Sequence, residues 1–477
     1  MTKTYLIKNV SVVDGTASPR FISDIEIDGD RIVRIGNDLC NERAIVINGA
    51  GLIAAPGFID VHTHDDTNVI CEPECIPKIS QGITTVIVGN CGISASPAIL
   101  KELPPDPMNL LGEKEAFQYP TFKHYVDAVN KAQPAVNVAA LVGHTTLRNN
   151  VMDDLYRTAT EAEIMAMRQE LKQSLNDGAL GLSTGLAYAS AYESSSQEVE
   201  QLASELSEFQ AIYTTHMRSE FEPILDAMEE AFKVGRINNV PVVISHHKCA
   251  GAGNWGRTTE TLKLLDDTAK KQNVGCDCYP YTASSSTLDL KQVTDEFEIF
   301  ITWSEPCPQH AQKTLQQIAK ETDQTLLDAA RMLQPAGAVY HNMCSEDVER
   351  VLTSKHSVIG SDGLPNDPHP HPRLWGAFPR VLGYYSRERK LFSLEEAVHK
   401  MTGKSAQRFN LLHRGILEKG AYADIVLFDE ESVGDLATFS NPKQKAKGIH
   451  TVIVNGEIAY HDNQVFSQRH GRFLCRA

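Results

Sequence analysis

Six residues that could bind a metal ion each follow an apolar, strand-like segment of the sequence. They are His62 and His64 after FIDV, Cys91 after VIVGN, His216 after IYTT, His246 after VVIS, and Asp362 after SVIGS. Imidazole and thiolate groups bind Zn²⁺ well, and a carboxylate suits a bridging or ligand-orienting role. A single His or Cys on an apolar strand is usually a packed core residue. Six such residues at the ends of five strands predict a metal-dependent catalytic site.

The spacing within these motifs predicts which side chains share a face. His62 and His64 are two residues apart, as are His246 and Lys248, so each pair is expected on one side of its strand. His247 lies between the last two and is expected to face away from the site. The cysteines do not form two pairs at the spacing of a zinc finger, so a structural zinc ribbon is not expected.

The elements that must position these residues alternate between strands and helices. Apolar runs such as TTVIVGNCG and VPVVISHHKC alternate with amphipathic stretches such as ATEAEIMAMRQELKQSLND. Continuous apolar strands separated by helices indicate a parallel sheet covered on both faces. Eight such strands predict an α/β fold with a (β/α)₈ TIM barrel. Active sites of such barrels lie at the C-terminal ends of the strands, where the six residues fall.

Both ends of the chain read as short alternating strands, such as DIEIDGDRIVRIG near the start and HTVIVNGEIAY near the finish. Strands at opposite ends of a chain can pair, because termini often lie close together. We therefore expect a β-domain from residues 1–56 plus 414–477 and a barrel from 57–413. The stretch of about 284–345 is too long for one βα loop and is interpreted as a small inserted subdomain that covers the barrel mouth.

Composition and charge exclude several classes of protein. The formal net charge of −16 with no compensating basic stripe argues against nucleic-acid binding. No signal peptide and no apolar run long enough to cross a bilayer are evident. The 10 cysteines are scattered, which favours a reducing cytoplasm. Nothing in the sequence indicates an oligomeric state.

The opening GFIDVHTHDD and the later GAYADIVLFD resemble the amidohydrolase superfamily, whose β-sandwich is assembled from both ends of the chain. Within it, the sequence most resembles the N-acyl-D-amino-acid deacylases (D-aminoacylases), over essentially its whole length. The matching segments are GNCGIS, LVGHTTLR, GLSTGLAY, THMRSE, ISHHKCAG, YPYTASSS, ITWS, GSDGLPND and HPRLWGAFPRVLG. Together these segments are far more specific than the His-x-His motif alone.

The resemblance implies roles for the metal-binding residues. Cys91, His216 and His246 would hold one tightly bound Zn²⁺, with Cys91 in the place of the carboxylated lysine of many relatives. The fourth strand, ALGLSTG, has no lysine to carboxylate. His62 and His64, with Asp362, would form a second, weaker site.

The resemblance also implies a reaction, the hydrolysis of a small N-acyl amino acid. Asp362 would accept a proton from the attacking water and return it to the leaving amine. Lys248, Tyr279 and Arg373 match positions that bind the substrate α-carboxylate, and Arg373 suits a bidentate grip. Ser285 would assist them, within a run of three serines. The D stereochemistry rests on the resemblance alone.

The loop after YPY carries a cation, Lys291, where relatives selective for apolar side chains have apolar residues. Relatives that favour N-acyl-D-glutamate carry a cation, arginine, in the same loop. The sequence therefore predicts a preference for acidic substrates, closest to the N-acyl-D-glutamate deacylase branch, if nearby Asp289 does not neutralise the lysine. The alternative is an exposed lysine without a role.

The sequence leaves two other interpretations of the function open. One is a cyclic amidase of the dihydroorotase or hydantoinase kind, although such enzymes usually resemble a carboxylated-lysine pattern and lack the HPRLWG segment. The other is a non-catalytic assembly protein with the same fold, although every expected ligand is present. Activity towards ring amides would separate the first alternative, and a metal assay the second.

Overall fold

The structure is a computed structural model that describes residues 3–100 and 102–476. Its strands form three parts: a sheet built from both ends of the chain (the terminal sheet), a barrel, and a small sheet inserted after the seventh barrel strand (the inserted sheet). The N-terminal part of the terminal sheet contains β1 (Thr4–Val12), β2 (Phe21–Asp28), β3 (Arg31–Gly36), β4 (Ile45–Asn48) and β5 (Ile53–Pro56). The first barrel strands are β6 (Phe58–Asp60), β7 (Ile83–Val88), β8 (Asn137–Ala140), β9 (Val142–Gly143), β10 (Gly181–Gly185), β11 (Ile212–His216), β12 (Val242–Ile244) and β13 (Val274–Cys278). The inserted sheet follows as β14 (Ser284–Thr287), β15 (Ile299–Ser304), β16 (Lys313–Thr314) and β17 (Ala336–Tyr340). The last strands are β18 (Ser357–Ile359) of the barrel and β19 (Ile425–Phe428), β20 (Ile449–Val454), β21 (Glu457–His461) and β22 (Gln464–Val465) of the terminal sheet.

The helices lie mainly between the barrel strands and in the insertion. They are α1 (Asn68–Cys71), α2 (Ile76–Ile79), α3 (Phe122–Ala132), α4 (His144–Val151), α5 (Glu161–Asn176), α6 (Ala189–Tyr192), α7 (Ser196–Glu208), α8 (Ile224–Asn238), α9 (Thr258–Ala269), α10 (Leu315–Thr322), α11 (Leu326–Leu333), α12 (Ser345–Thr353), α13 (Arg373–Arg380), α14 (Leu394–Met401) and α15 (Gly403–Arg408). Their starts follow local capping rules. At α5, for example, Thr160 and Glu163 form a reciprocal capping box. Among the described residues, no helix is long and apolar enough to cross a membrane.

The barrel is built from parallel strands in sequence order. Strand β6 pairs with β7 and β7 with β8, while β9 through β13 pair in turn and β13 pairs with β18. Segments β8 and β9 are consecutive and together occupy one strand position. The barrel strands are buried throughout, except for the last residue of β11. This burial agrees with the continuous apolar runs that the sequence analysis interpreted as a sheet covered on both faces.

Backbone bonds between the ends of the first and last barrel strands close the barrel. Thr63 and Gly363 form a parallel bridge. The amide of His64 donates to the carbonyl of Gly363 at 3.0 Å, and the amide of Asp362 donates to the carbonyl of His62 at 2.7 Å. Barrel closure therefore occurs within the two segments that carry three of the predicted metal ligands.

A buried lysine that the sequence analysis did not single out reinforces this closure. The Lys78 ammonium, 0% exposed, pairs with Asp60 at 2.9 Å and with Asp65 at 3.1 Å. It also donates to the hydroxyl of Ser361 at 3.0 Å. Although burial lowers the pKa of Lys78, the Asp60 and Asp65 carboxylates raise it above its ordinary value. One buried cation thus ties both closing segments together.

The strands from the two ends of the chain lie in one sheet of nine strands. Its order is β22-β21-β20-β19-β5-β1-β2-β3, and β4 also pairs with β1. A buried polar cluster connects this sheet to the barrel: Asp424 pairs with Arg414 and accepts hydrogen bonds from Asn137 of β8 and from the Asn455 backbone. The predicted assembly of a β-domain from both ends depends on such long-range contacts.

The last residues of the predicted terminal segment, 414–477, bind the edge of a barrel strand. The amide of Val138 in β8 donates to the carbonyl of Arg472 at 3.0 Å, and the amide of Leu474 donates to the carbonyl of Val138 at 2.7 Å. Strand β8 pairs with β7 on one side, so this tail supplies partners on the other. The exposed backbone edge of a barrel strand, rather than an apolar pattern, explains the tail's position.

The inserted residues form an antiparallel sheet with its own small core. Strand β17 pairs with both β14 and β15, and β16 pairs with β15. Apolar residues of β15 and β17 pack with those of α10 and α11, apart from the barrel core. The first strand of this sheet carries Ser285, so the insertion contributes directly to the wall of the site described next.

Candidate active site

Two groups of metal-ligand atoms lie at the C-terminal ends of the barrel strands and share a cysteine. One group is His62, His64, Cys91 and Asp362, and the other is Cys91, His216 and His246. Within each group all candidate ligand atoms lie within 4.8 Å of one another. The Cys91 sulfur is 3.2 Å from His62 Nε2 and 3.4 Å from His246 Nε2. All six predicted ligands therefore converge around the thiol of Cys91.

The donor set fits zinc. A sulfur, four imidazoles and a carboxylate face one small volume, and sulfur and imidazole are the ligands that zinc prefers. Burial raises the pKa of the Cys91 thiol, but the His62 and His246 imidazoles more than offset it and hold that pKa well below its ordinary value. A buried thiolate among imidazoles is an arrangement that a cation stabilises. The buried groups thus have the composition and charge of a metal site.

Three of these residues have a left-handed backbone. The φ angles are +53° at Cys91, +36° at His246 and +50° at Asp362. Such angles cost a non-glycine residue roughly 1–3 kcal/mol each and persist only where the surroundings hold them in place. The local sequence suits a turn of this kind, because Gly89 and Gly92, on either side of Cys91, also have positive φ, which glycine adopts without strain. The backbone turns at these positions aim the side chains into the site.

Two carboxylates that the sequence analysis missed orient the ligands. Asp277 at β13 lies 3.1 Å from Nδ1 of His62 and also accepts the backbone N–H of His246 at 2.8 Å. Glu220 lies 2.9 Å from Nδ1 of His246. Partners of this kind fix the ring and direct the other nitrogen towards a metal. Glu220 lies in the THMRSE segment and Asp277 in the CDCYPY segment, but the spacing of residues in these segments does not indicate which side chains the two acids contact.

The carboxylate of Asp362 lies between the histidines and an arginine. One oxygen is 3.4 Å from His62 Nε2 and 3.3 Å from His64 Nε2, and the other is 2.8 Å from Arg373 Nη1. Burial raises the pKa of Asp362, but the Arg373 guanidinium and the His246 and His62 imidazoles outweigh it and lower that pKa well below its ordinary value. At neutral pH the group is therefore an ionised carboxylate.

The predicted substrate-binding residues lie beside this carboxylate. Lys248 pairs with Glu220 at 2.6 Å, and Arg373 donates to the backbone carbonyl of Ser285 at 3.1 Å. The ring of Tyr279 lies 4.6 Å from the Arg373 guanidinium carbon and 5.8 Å from Lys248 Nζ. The hydroxyls of Tyr279 and Ser285 are buried, and no other described residue forms a hydrogen bond with them. The structure thus brings these four residues together, with two free hydroxyls.

His247 lies outside the site, as its position between His246 and Lys248 predicted. Its Nε2 is 2.8 Å from the hydroxyl of Thr261 on α9, behind the strands. Burial lowers its pKa to about 4, so the ring is neutral near pH 7. The alternation of side chains along β12 and its continuation explains this separation.

A cavity of about 700 Å³ opens above the ligands, and its lining includes His64, His216, His246, Lys248 and Asp362. Residues 284–292 of the insertion form another part of the wall, so the chemistry and the insertion meet in one space. Such a volume suits a small molecule rather than a macromolecule.

Lys291 is an exposed part of this wall. Its Nζ lies 4.5 Å from the ring centroid of Tyr192, another wall residue. Asp289 accepts the backbone N–H of Lys291 at 2.9 Å, and no ion pair joins the two side chains among the described residues. The other wall cations are paired, Lys248 with Glu220 and Arg218 with Glu230. Lys291 is therefore a wall cation that forms no ion pair among the described residues.

The chain is similar to characterised proteins over almost its full length. The sequence model described as the amidohydrolase family matches residues 46–460. Three similar proteins come from Alcaligenes xylosoxydans xylosoxydans. They are a D-aminoacylase, 45% identical over 99% of this chain and 97% of the relative, an N-acyl-D-aspartate deacylase, 44% identical over 99% and 95%, and an N-acyl-D-glutamate deacylase, 42% identical over 98% and 95%.

A solved structure also matches this chain over almost its full length. The N-acyl-D-glutamate deacylase of Bordetella bronchiseptica, complexed with zinc and a phosphonate inhibitor that mimics the tetrahedral intermediate, has a TM-score of 0.95 to this chain. The two are 40% identical, and the match covers 99% of both chains.

The shared cysteine predicts a ranking of metal loss. We expect Cys91→Ala and His216→Asn to lose most of the tightly bound zinc, because both remove a ligand of the same group. His62→Asn should retain more zinc, because it removes a ligand of the other group only. Elemental analysis after dialysis measures the zinc content, with the exposed His124→Asn as the control. Equal losses in all three site variants would contradict the ranking.

Proposed function

The chain belongs to the amidohydrolase family, and we propose that it hydrolyses the amide bond of N-acyl-D-amino acids to a carboxylate and a free D-amino acid. The observation that carries the proposal is the position of Asp362. Its ionised carboxylate lies between the metal-ligand histidines and Arg373, at the base of a cavity of small-molecule size. The full-length similarity to proteins named D-aminoacylase and N-acyl-D-amino-acid deacylase supports both the reaction and the D configuration.

Zinc is the metal we assign to this site. Cys91, His216 and His246 would hold the tighter ion, and His62, His64 and Asp362 would hold a second, weaker one. When bound, zinc supplies Lewis-acid polarisation of the scissile carbonyl and makes the attacking water more acidic. Asp277 and Glu220 keep the His62 and His246 rings oriented towards it.

Asp362 moves the proton. Its carboxylate accepts a proton from the water that attacks the amide carbon and returns it to the leaving nitrogen, which must be protonated to depart. The ion pair with Arg373 and the backbone bond to His62 hold the carboxylate in place for both steps.

The α-carboxylate of the substrate binds at two cations that lie beside Asp362. Lys248 and Arg373 supply charge, and the free hydroxyls of Tyr279 and Ser285 supply donors. We propose that these four residues orient the substrate so that the amide carbon faces Asp362. Strand β10 contains no lysine to carboxylate, which favours a linear amide over the ring amides of the cyclic amidases.

We extend the proposal to the substrate side chain. Lys291 is an exposed wall cation that forms no ion pair among the described residues, and it is suited to an acidic side chain such as that of D-glutamate. The identities of 45%, 44% and 42% to the D-aminoacylase and to the aspartate and glutamate deacylases do not discriminate between side chains. The support for this preference is therefore the location of Lys291.

We further propose a cytoplasmic location. All 10 cysteines are free, and Cys91 must stay reduced to serve as a ligand. A reducing compartment maintains that state.

The direct test of the proposed function is hydrolysis of N-acetyl D- and L-amino acids by the zinc-loaded enzyme, followed as release of the free amine. We expect turnover of D-substrates and little of L-substrates or of ring amides such as hydantoin. Preferential turnover of a ring amide would refute the proposal.

Asp362→Asn should fold and retain the tighter zinc but lose about 10²–10⁴-fold in kcat, because an amide can neither accept nor return the proton. Circular dichroism, zinc content and turnover measure the three properties. Asp226→Asn, which alters an exposed carboxylate at the cavity mouth, is the matched control. Normal turnover of Asp362→Asn would exclude the role of Asp362.

Lys291→Ala should lower kcat/KM for N-acetyl-D-glutamate and leave that for N-acetyl-D-methionine nearly unchanged. A hydrogen bond to a charged group contributes about 1.5–3 kcal/mol, or roughly 10- to 100-fold, and the exposure of Lys291 places the effect near the lower end. Lys271→Ala, on the surface, is the control. An equal decrease for both substrates, or a wild type that prefers D-methionine, would leave only the general deacylase activity.

A further inference from the structure

A cluster of histidines lies on the terminal sheet, on elements different from those of the active site. His450 of β20, His461 of β21 and Asp462 form a third group whose candidate ligand atoms lie within 4.8 Å of one another. The two imidazole rings are 4.9 Å apart at their centroids. None of the three residues lines the catalytic cavity. We propose that they form a surface zinc site with two imidazole ligands, one carboxylate ligand and a coordination position open to water.

The distances fit an ion between the groups. His450 Nε2 is 3.4 Å from one oxygen of Asp462, and His461 Nε2 is 3.4 Å from the other. These separations are longer than an ordinary N–H···O hydrogen bond. Each separation is close to the edge of a tetrahedron with zinc at its centre, about 3.3 Å for ligand bonds of roughly 2.0–2.1 Å, and the two nitrogens face different oxygens of the one carboxylate.

A buried hydroxyl orients both rings towards the ion. Nδ1 of His450 is 2.8 Å and Nδ1 of His461 is 2.9 Å from the hydroxyl oxygen of Thr451, which is 0% exposed. A hydroxyl oxygen has two lone pairs and can accept both Nδ1–H groups. Both Nε2 atoms are then unprotonated and face Asp462, as metal binding requires.

A β-bulge brings the first ligand onto the correct face. Opposite β19, Ile449 pairs with Phe428 and Thr451 pairs with Leu427, so His450 is the extra residue. In a regular strand His450 and Thr451 would point to opposite faces, but a bulge redirects a side chain. Thr451 lies directly opposite His461 in the pairing of β20 with β21. The three groups therefore meet on one face.

The turn that carries the third ligand is also fixed. Asp462 and Asn463 both have positive φ between β21 and β22, as a two-residue type I′ hairpin requires. The Tyr460 hydroxyl donates to the Asn463 side chain at 2.9 Å, and the Asp462 amide donates to the His450 carbonyl at 3.0 Å. The carboxylate thus leaves a constrained turn beside the two imidazoles.

Equilibrium dialysis of the full, untagged enzyme against micromolar free Zn²⁺, with elemental analysis, tests the proposal. We expect the His450→Asn/His461→Asn variant to bind one zinc fewer per chain than the wild type, with unchanged kcat/KM for its substrate. Asp462→Asn keeps a residue suited to the positive φ of the turn, so we expect this variant to fold and to lose the same zinc. Thr451→Val should weaken binding about 10- to 100-fold, the usual effect of removing a partner that orients a ligand.

The matched control is His310→Asn/His341→Asn, which removes two partly buried histidines of the insertion that are 3.9 Å and 3.8 Å from carboxylates. This variant should bind as much zinc as the wild type. Equal zinc content in the wild type and in both the Asp462→Asn and the double-histidine variants would overturn the proposal.

Discussion

The closure of the barrel between its first and last strands is the constraint on which the rest of the structure depends. Hydrogen bonds between residues 62–64 and 362–363 join those strands at the point where His62, His64 and Asp362 leave the backbone. A shift of one residue would turn these side chains to the opposite face. Lys78 fixes the same junction through Asp60, Asp65 and Ser361. The hydrogen bonds that close the barrel therefore also position these three metal-ligand side chains.

Charge compensation explains how so many ionisable groups remain buried around the site. Isolated buried charges are costly unless they are paired and hydrogen-bonded. Lys248 and Glu220 form one such pair, and Arg373 and Asp362 form another. The thiol of Cys91 lies among the imidazoles of His62 and His246, and the proposed metal ion would add positive charge beside it. The proposed metal thus belongs to the electrostatic balance of the core as well as to the reaction.

In the proposed function, the insertion selects the substrate side chain and the barrel carries out the chemistry. The ligands and Asp362 lie at strand ends of a rigid barrel, whereas residues 284–292 of the insertion form the outer wall of the same cavity. Lys291 can therefore change without disturbing the ligands.

The sequence determined the features that depend on local pattern. Apolar runs predicted the barrel strands, and spacing placed His62 with His64 and turned His247 away, because side chains alternate along a strand. Only the tertiary structure decided which distant groups meet. Glu220, Asp277 and Lys78 reach their partners from other strands and helices, and no local spacing encodes those contacts. The bulge at His450 likewise reverses the face that alternation predicts. It arises from a mismatch in pairing with β19, which exists only once the two strands are assembled.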